Sequence, residues 1–121
     1  VRACAKSLKE LYGDKKVTVL FQPHLFSRTA DFYKEFAESL SMFDKVILVD
    51  IYPAREKPIP GVTSKLIYDH LADGVEKSMC SRADVLATIE KEKQDIEILV
   101  SLGAGDIEND IAEMKRILKN R

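Results

Sequence analysis

Hydrophobic positions in this chain alternate between two spacings, and the changes of spacing mark its elements. Val17–Phe21 (VTVLF) is a continuous apolar run, too short for a helix and rich in β-branched residues, so it predicts a buried strand. Gln22-Pro23 closes it, because proline cannot continue the ladder. Phe32, Tyr33, Phe36, Ala37 and Leu40 then recur at three- and four-residue intervals, which places them on one helical face with Thr29 or Ser27 as N-cap. A second apolar run, VILVD, ends at Asp50 and suits a parallel strand covered on both faces.

The rest of the chain follows the same alternation. Val1, Cys4, Ala5, Leu8, Leu11 and Tyr12 form a helical stripe that ends at Gly13-Asp14. IYPAREKPIPGVTS holds three of the four prolines and predicts irregular backbone. Thr63 or Ser64 caps a helix burying Leu66, Ile67, His70 and Leu71, and a weakly signalled strand covers Val75–Met79. Ser81-Arg82-Ala83-Asp84 resembles a capping box ahead of a helix that buries Val85, Leu86 and Ile89. A last strand, DIEILVSL, runs into Gly103-Ala104-Gly105, and a final helix uses Ile107, Ile111, Met114 and Leu118. Roughly four strands and five helices in this order predict an α/β, Rossmann-like three-layer domain with a mostly parallel sheet.

Composition narrows the partners. The 121 residues suffice for one domain, and 19 basic against 20 acidic side chains give a net charge of −1. That balance supplies no electrostatic reason for a nucleic acid or an anionic membrane as partner. No apolar run reaches the length of a membrane span, so a cytoplasmic setting is expected. Cys4 and Cys80 lack metal-ligand spacing and read as buried reduced thiols. The first helical stripe starts at Val1 without a capping signal, so the chain reads as part of something longer.

In open α/β sheets, ligands bind beyond the carboxyl ends of the strands, and His24, Asp50 and Gly103 each close a predicted strand there. His24 reads either as a loop histidine bonded locally or as a site residue. Arg28 reads as a surface ion pair or as a guanidinium placed for bidentate capture of a carboxylate or phosphate, aided by the helix N-terminus; Ser27 lies beside it. Asp50 is expected to cap the following turn, with substrate or metal binding the lesser alternative. Arg55 and Glu56 read as a solvated pair, and His70 as a core or boundary histidine. Gly103 and Gly105 form only GxG, ahead of Asp106, Glu108 and Asp110, whose charges would repel phosphate, so a tight turn is favoured, with substrate approach the lesser reading. No ligand spacing for a metal and no GxxxxGK[ST] loop are present.

FQPHLFSRT (Phe21–Thr29), DIYPAREKPIPGVTS (Asp50–Ser64) and LGAGDI (Leu102–Ile107) resemble, in this order, the C-terminal domain of the UDP-N-acetylmuramate:L-alanine (MurC) branch of the Mur ligases. The resemblance covers residues 1–121. It implies an ATP- and magnesium-dependent amide-forming ligase of peptidoglycan synthesis, acting through an acyl phosphate. UDP-N-acetylmuramate and L-alanine would be its substrates. The N-terminal domain would hold the UDP-sugar, the central domain the phosphate loop and magnesium ligands, and the C-terminal domain would close over them and help bind the amino acid. His24 and Arg28 match the family's PHR[YF][TS]RT loop near the alanine site. Leu25 stands where the first arginine is usual, and Arg55 replaces a common small residue.

The family's DDYxHHPTE segment is absent before Val1, which implies a missing first strand and an exposed apolar slot in the sheet. By itself the chain is expected neither to ligate nor to bind ATP tightly. The alternatives are a stand-alone α/β small-molecule-binding module and a dimerisation domain without catalysis. A receiver-like module would need an acidic cluster where Gln22-Pro23-His24 stands.

Overall fold

The computed structural model describes residues 2–11, 13–103 and 107–120. Val1, Tyr12, Ala104, Gly105, Asp106 and the side chains of Cys4, Ala5 and Glu108, all named above, lie outside the described parts.

Helix α1 (Arg2–Leu11) precedes strand β1 (Val17–Gln22), helix α2 (Phe26–Leu40) and strand β2 (Lys45–Val49). Then come a short helix α3 (Lys65–Tyr68), strand β3 (Glu76–Cys80), helix α4 (Val85–Glu92), strand β4 (Ile98–Gly103) and helix α5 (Ile111–Lys119). The four strands form one fully parallel sheet in the order β3-β2-β1-β4. The chain therefore builds outward from β1 through β2 to β3 and returns to the other side of β1. Right-handed crossovers require the covering helix to change face when the direction reverses. The two cores obey this.

One core sets Val17, Val19 and Phe21 of β1 and Val46 and Leu48 of β2 against Ala37 and Leu40 of α2 and Ile67 of α3. The other sets Leu20, Ile47 and Val49 against Val85 and Ile89 of α4 and Met114 and Ile117 of α5. Alternate residues of each strand thus serve opposite layers. Every residue of β1 and β2 is buried, which accounts for their unbroken apolar runs. β1 pairs with β4 along its whole length, from Val17 with Ile98 to Gln22 with Gly103. The two strands are therefore direct neighbours, and β4, only partly buried, forms a border of the sheet.

Several local expectations are corrected. Leu11 is 73% exposed, so the first helix contributes Leu8 to the core but leaves its last turn open. α3 ends at Tyr68, and His70 is exposed, its Nδ1 2.8 Å from the Leu66 carbonyl and its ring edge-on to Tyr33. The N-cap position falls on Ser64, which is buried and donates to the Val49 carbonyl instead of capping, while Thr63, one residue earlier, accepts the Lys65 N–H on its hydroxyl at 3.2 Å. Ser81 makes no side-chain cap; a single 3₁₀ turn over Arg82–Asp84 leads into α4 instead.

At the amino end of the sheet, Lys45 is buried in β2 and ion-pairs with Glu92 at the end of α4. Lys16 bridges Glu76 at 2.9 Å and Asp95 at 2.8 Å. The network ties three strand beginnings to one helix end, opposite the rim where the candidate site lies.

Candidate functional site

Pairing between β1 and β2 does not stop at the strand ends. The Tyr52 N–H donates to the Pro23 carbonyl at 2.8 Å, and the Leu25 N–H donates to the Tyr52 carbonyl at 2.9 Å, making a parallel bridge between His24 and Tyr52. Their rings stack with centroids 5.9 Å apart and planes 28° apart. Pro23 ends the ladder of β1 as a donor, yet its carbonyl still accepts, so the two loops run side by side beyond the rim. Beneath them Gln22 is buried and its Nε2 donates to the Asp50 carbonyl at 3.0 Å. Its Oε1 is buried without a hydrogen-bond partner among the described residues.

Leu25 turns the chain into α2 with φ 71° and ψ 137°, a conformation that leucine rarely adopts. It carries no capping side chain, and neither expected N-cap acts as one. Thr29 lies inside the helix with its hydroxyl donating back to the Leu25 carbonyl at 2.9 Å. The cap comes from across the rim. Glu56, in the loop after β2, accepts the Ser27 N–H on Oε1 at 3.1 Å and the Ser27 hydroxyl on Oε2 at 2.5 Å. The Ser27 hydroxyl, the Ser27 and Phe26 N–H groups and the nearby His24 hold the Glu56 carboxyl below its ordinary range. Glu56 is therefore not half of a solvated pair with Arg55. No spacing along the chain signals this contact, because its partners lie 29 residues apart.

Arg28 projects from the first turn of α2 and is exposed, with its guanidinium carbon 5.6 Å from the centre of the Phe32 ring. Among the described residues it pairs with no carboxylate. With Glu56 filling the helix N-terminus, a bound anion at this rim would meet the Arg28 side chain rather than the helix N–H groups. His24 is exposed on the preceding loop.

Asp50 is exposed at the end of β2, and its main-chain carbonyl is the group engaged, through Gln22. It borders two cavities. One, of about 280 Å³, opens between the ends of β2 and β3 and includes Ser64, Cys80 and Ser81. The other, of about 220 Å³, lies between Phe26 at the start of α2 and Thr63-Ser64. Cys80 is a free, partly buried thiol, pushed up by burial, opposed by its hydrogen bond with Thr88 and reinforced by Asp50 and Asp84. Gly103 has φ 128°, and a Cβ there would sit 2.3 Å from the Gln22 carbonyl oxygen. The glycine is required for close approach to β1. Asp110, expected among the acids opening the last helix, is ion-paired with Arg82 at 2.7 Å. Among the described residues no group of three or more His, Cys, Asp or Glu side chains is placed to hold a metal ion, and no helix is long and apolar enough to cross a membrane.

No protein-family model matches the chain. It is 60% identical over 115 residues to the UDP-N-acetylmuramate–L-alanine ligase of Phocaeicola vulgatus, covering 95% of this chain and 25% of that one. It is 48% identical over 117 residues to the ligase of the same name from Porphyromonas gingivalis, covering 97% and 25%. To that of Parabacteroides distasonis it is 45% identical over 118 residues, covering 98% and 25%. The chain spans about a quarter of the length of these curated relatives. Likeness at this level across nearly all of its residues, on a parallel α/β sheet of the expected kind, means that the chain belongs to the UDP-N-acetylmuramate–L-alanine ligase family.

Proposed function

We propose that residues 1–121 are the C-terminal, amino-acid-binding domain of a three-domain cytoplasmic ligase that joins L-alanine to UDP-N-acetylmuramate at the expense of ATP. The reading rests on its relatives' shared name, and the exposed Arg28 at the carboxyl rim supports the domain's share of the work. Arg28 receives the alanine carboxylate and His24 orients the amino acid or accepts its proton; Ser27, Asp50 and Gly103 are weaker candidates. The contribution is one of positioning: alanine held by its carboxylate presents its amine to the activated lactyl carboxyl while the closed domain excludes water.

The N-terminus of α2 does not fit the phosphates of ATP. Glu56 fills the N-terminus of α2, where a phosphate would otherwise be welcomed, and among the described residues no group of three or more His, Cys, Asp or Glu side chains is placed for a metal. In this reading the nucleotide and magnesium belong to the central domain. The purified chain alone is then expected to show no ligation, and turnover by it would refute that division of labour.

In a full-length ligase carrying this segment, Arg28→Ala should raise the KM for L-alanine on the order of tenfold or more, as loss of a charge-assisted contact does. The KM values for ATP and the UDP-sugar should stay near wild type. An unchanged KM for alanine removes Arg28 from the site.

A further inference from the structure

The contact across the rim has one polar partner on each side, and both belong to segments that the alanine site needs. Ser27 immediately precedes Arg28 in the first turn of α2. Glu56 belongs to the loop that begins with Tyr52, which is bridged to His24. Through the Glu56 carboxylate, the start of α2 is fixed to the β2 loop by two hydrogen bonds, in addition to the main-chain bridge. α2 has no cap of its own, and Leu25 enters it in an unfavourable conformation. The first turn therefore depends on a residue from elsewhere in the chain for its placement.

We propose that Glu56 is a positioning residue for the amino-acid site, capping α2 from the neighbouring loop so that the Arg28 guanidinium and His24 keep a fixed separation. The inference rests on the reading of Arg28 as the carboxylate-binding group. Glu56 touches no substrate in this scheme. It acts through Arg28, by removing the freedom of the turn that carries it.

The test uses steady-state kinetics of the full-length ligase with Arg28→Ala, Glu56→Ala, Glu56→Gln and the double variant Arg28→Ala/Glu56→Ala. Glutamine keeps an oxygen for the Ser27 N–H and an amide for the Ser27 hydroxyl, so it separates geometry from charge. Glu56→Ala should raise the KM for L-alanine on the order of tenfold, the scale of losing charged hydrogen bonds that fix a binding group. Glu56→Gln should recover most of that loss. The double variant should be no worse than Arg28→Ala alone, because both act through the same contact. Ser27→Ala, which keeps the N–H but drops the hydroxyl, should give a smaller rise and is a milder substitution should Glu56→Ala fold poorly.

If Arg28→Ala raises the KM for alanine and Glu56→Ala does not, the positioning role is overturned and the site reading stands. If Arg28→Ala has no effect, the site reading falls and the inference with it. Equal increases in the KM for all three substrates on Glu56→Ala, or additive losses in the double variant, would also overturn the proposal, since they indicate general loosening.

Discussion

Two residues at the rim hold backbone conformations that their side chains make costly or necessary. Leu25, at φ 71°, keeps its N–H on the Tyr52 carbonyl, and a glycine there would keep the same bond without steric strain. Leu25→Gly should therefore leave stability unchanged or raise it by up to about 1 kcal/mol, measured by urea unfolding. At Gly103 the balance runs the other way. Gly103→Ala places a methyl group 2.3 Å from the Gln22 carbonyl oxygen at a φ of 128°, so β1 and β4 must separate at their ends. A loss on the order of 2–4 kcal/mol is expected in the same measurement. Both strand-closing glycine and helix-opening leucine could be placed by their sequence neighbours, but not their φ values. Backbone angles there are imposed by partners on other strands. Glu56 carries a third expectation, set by acid. Its folded carboxyl is held below the ordinary value of 4.5, so its contribution is complete above that value and is lost as the pH falls through the lower folded one. The Ser27 amide should lose hydrogen-exchange protection over that range, and a protected amide throughout would contradict the cap.

Elements whose stability comes from burial were legible in the chain, and those held by distant polar contacts were not. β1 and β2 announce themselves as apolar runs because they are covered on both faces, and β4 carries a similar run though it is only partly buried. α2 and α4 follow from their periodic stripes. α3 is different: its apolar residues suggest a helix through Leu71, yet regular helix ends at Tyr68, and Ile67 and Leu71 still reach the core. The capping of α2 could not be read, because its donor helix and its acceptor loop are distant in sequence. The pair between Lys45 and Glu92 belongs to the same class. Their side chains are only 9% and 17% exposed, so removing Lys45 leaves Glu92 desolvated, whereas without Glu92 the Lys45 ammonium still has the exposed Asp95 carboxylate at 3.6 Å. Lys45→Ala should cost about 3 kcal/mol in chemical denaturation and Glu92→Ala less, because Asp95 remains beside Lys45, and Lys45→Met with Glu92→Leu together should recover most of the loss. Equal losses in the single and double variants would show that the pair contributes as an ion pair and not merely through avoided desolvation.

For the molecule as a whole, the carboxyl rim gathers what the family resemblance assigns to alanine recognition, while the amino rim carries the ion-pair network. His24, Arg28 and Asp50 follow the carboxyl ends of β1 and β2, a placement that depends only on strand order and direction and so was legible in the chain. The sheet order has a kinetic consequence. β1 meets β2 after one helix, but its other neighbour, β4, begins about eighty residues later, so closing that pairing costs far more chain entropy than the first. β1, β2 and β3 can assemble by successive short crossovers, whereas the pairing of β1 with β4 waits for the return of a distant segment. The tight seat of Gly103 on Gln22 would then be among the last native contacts to form and, under load or heat, among the first to part.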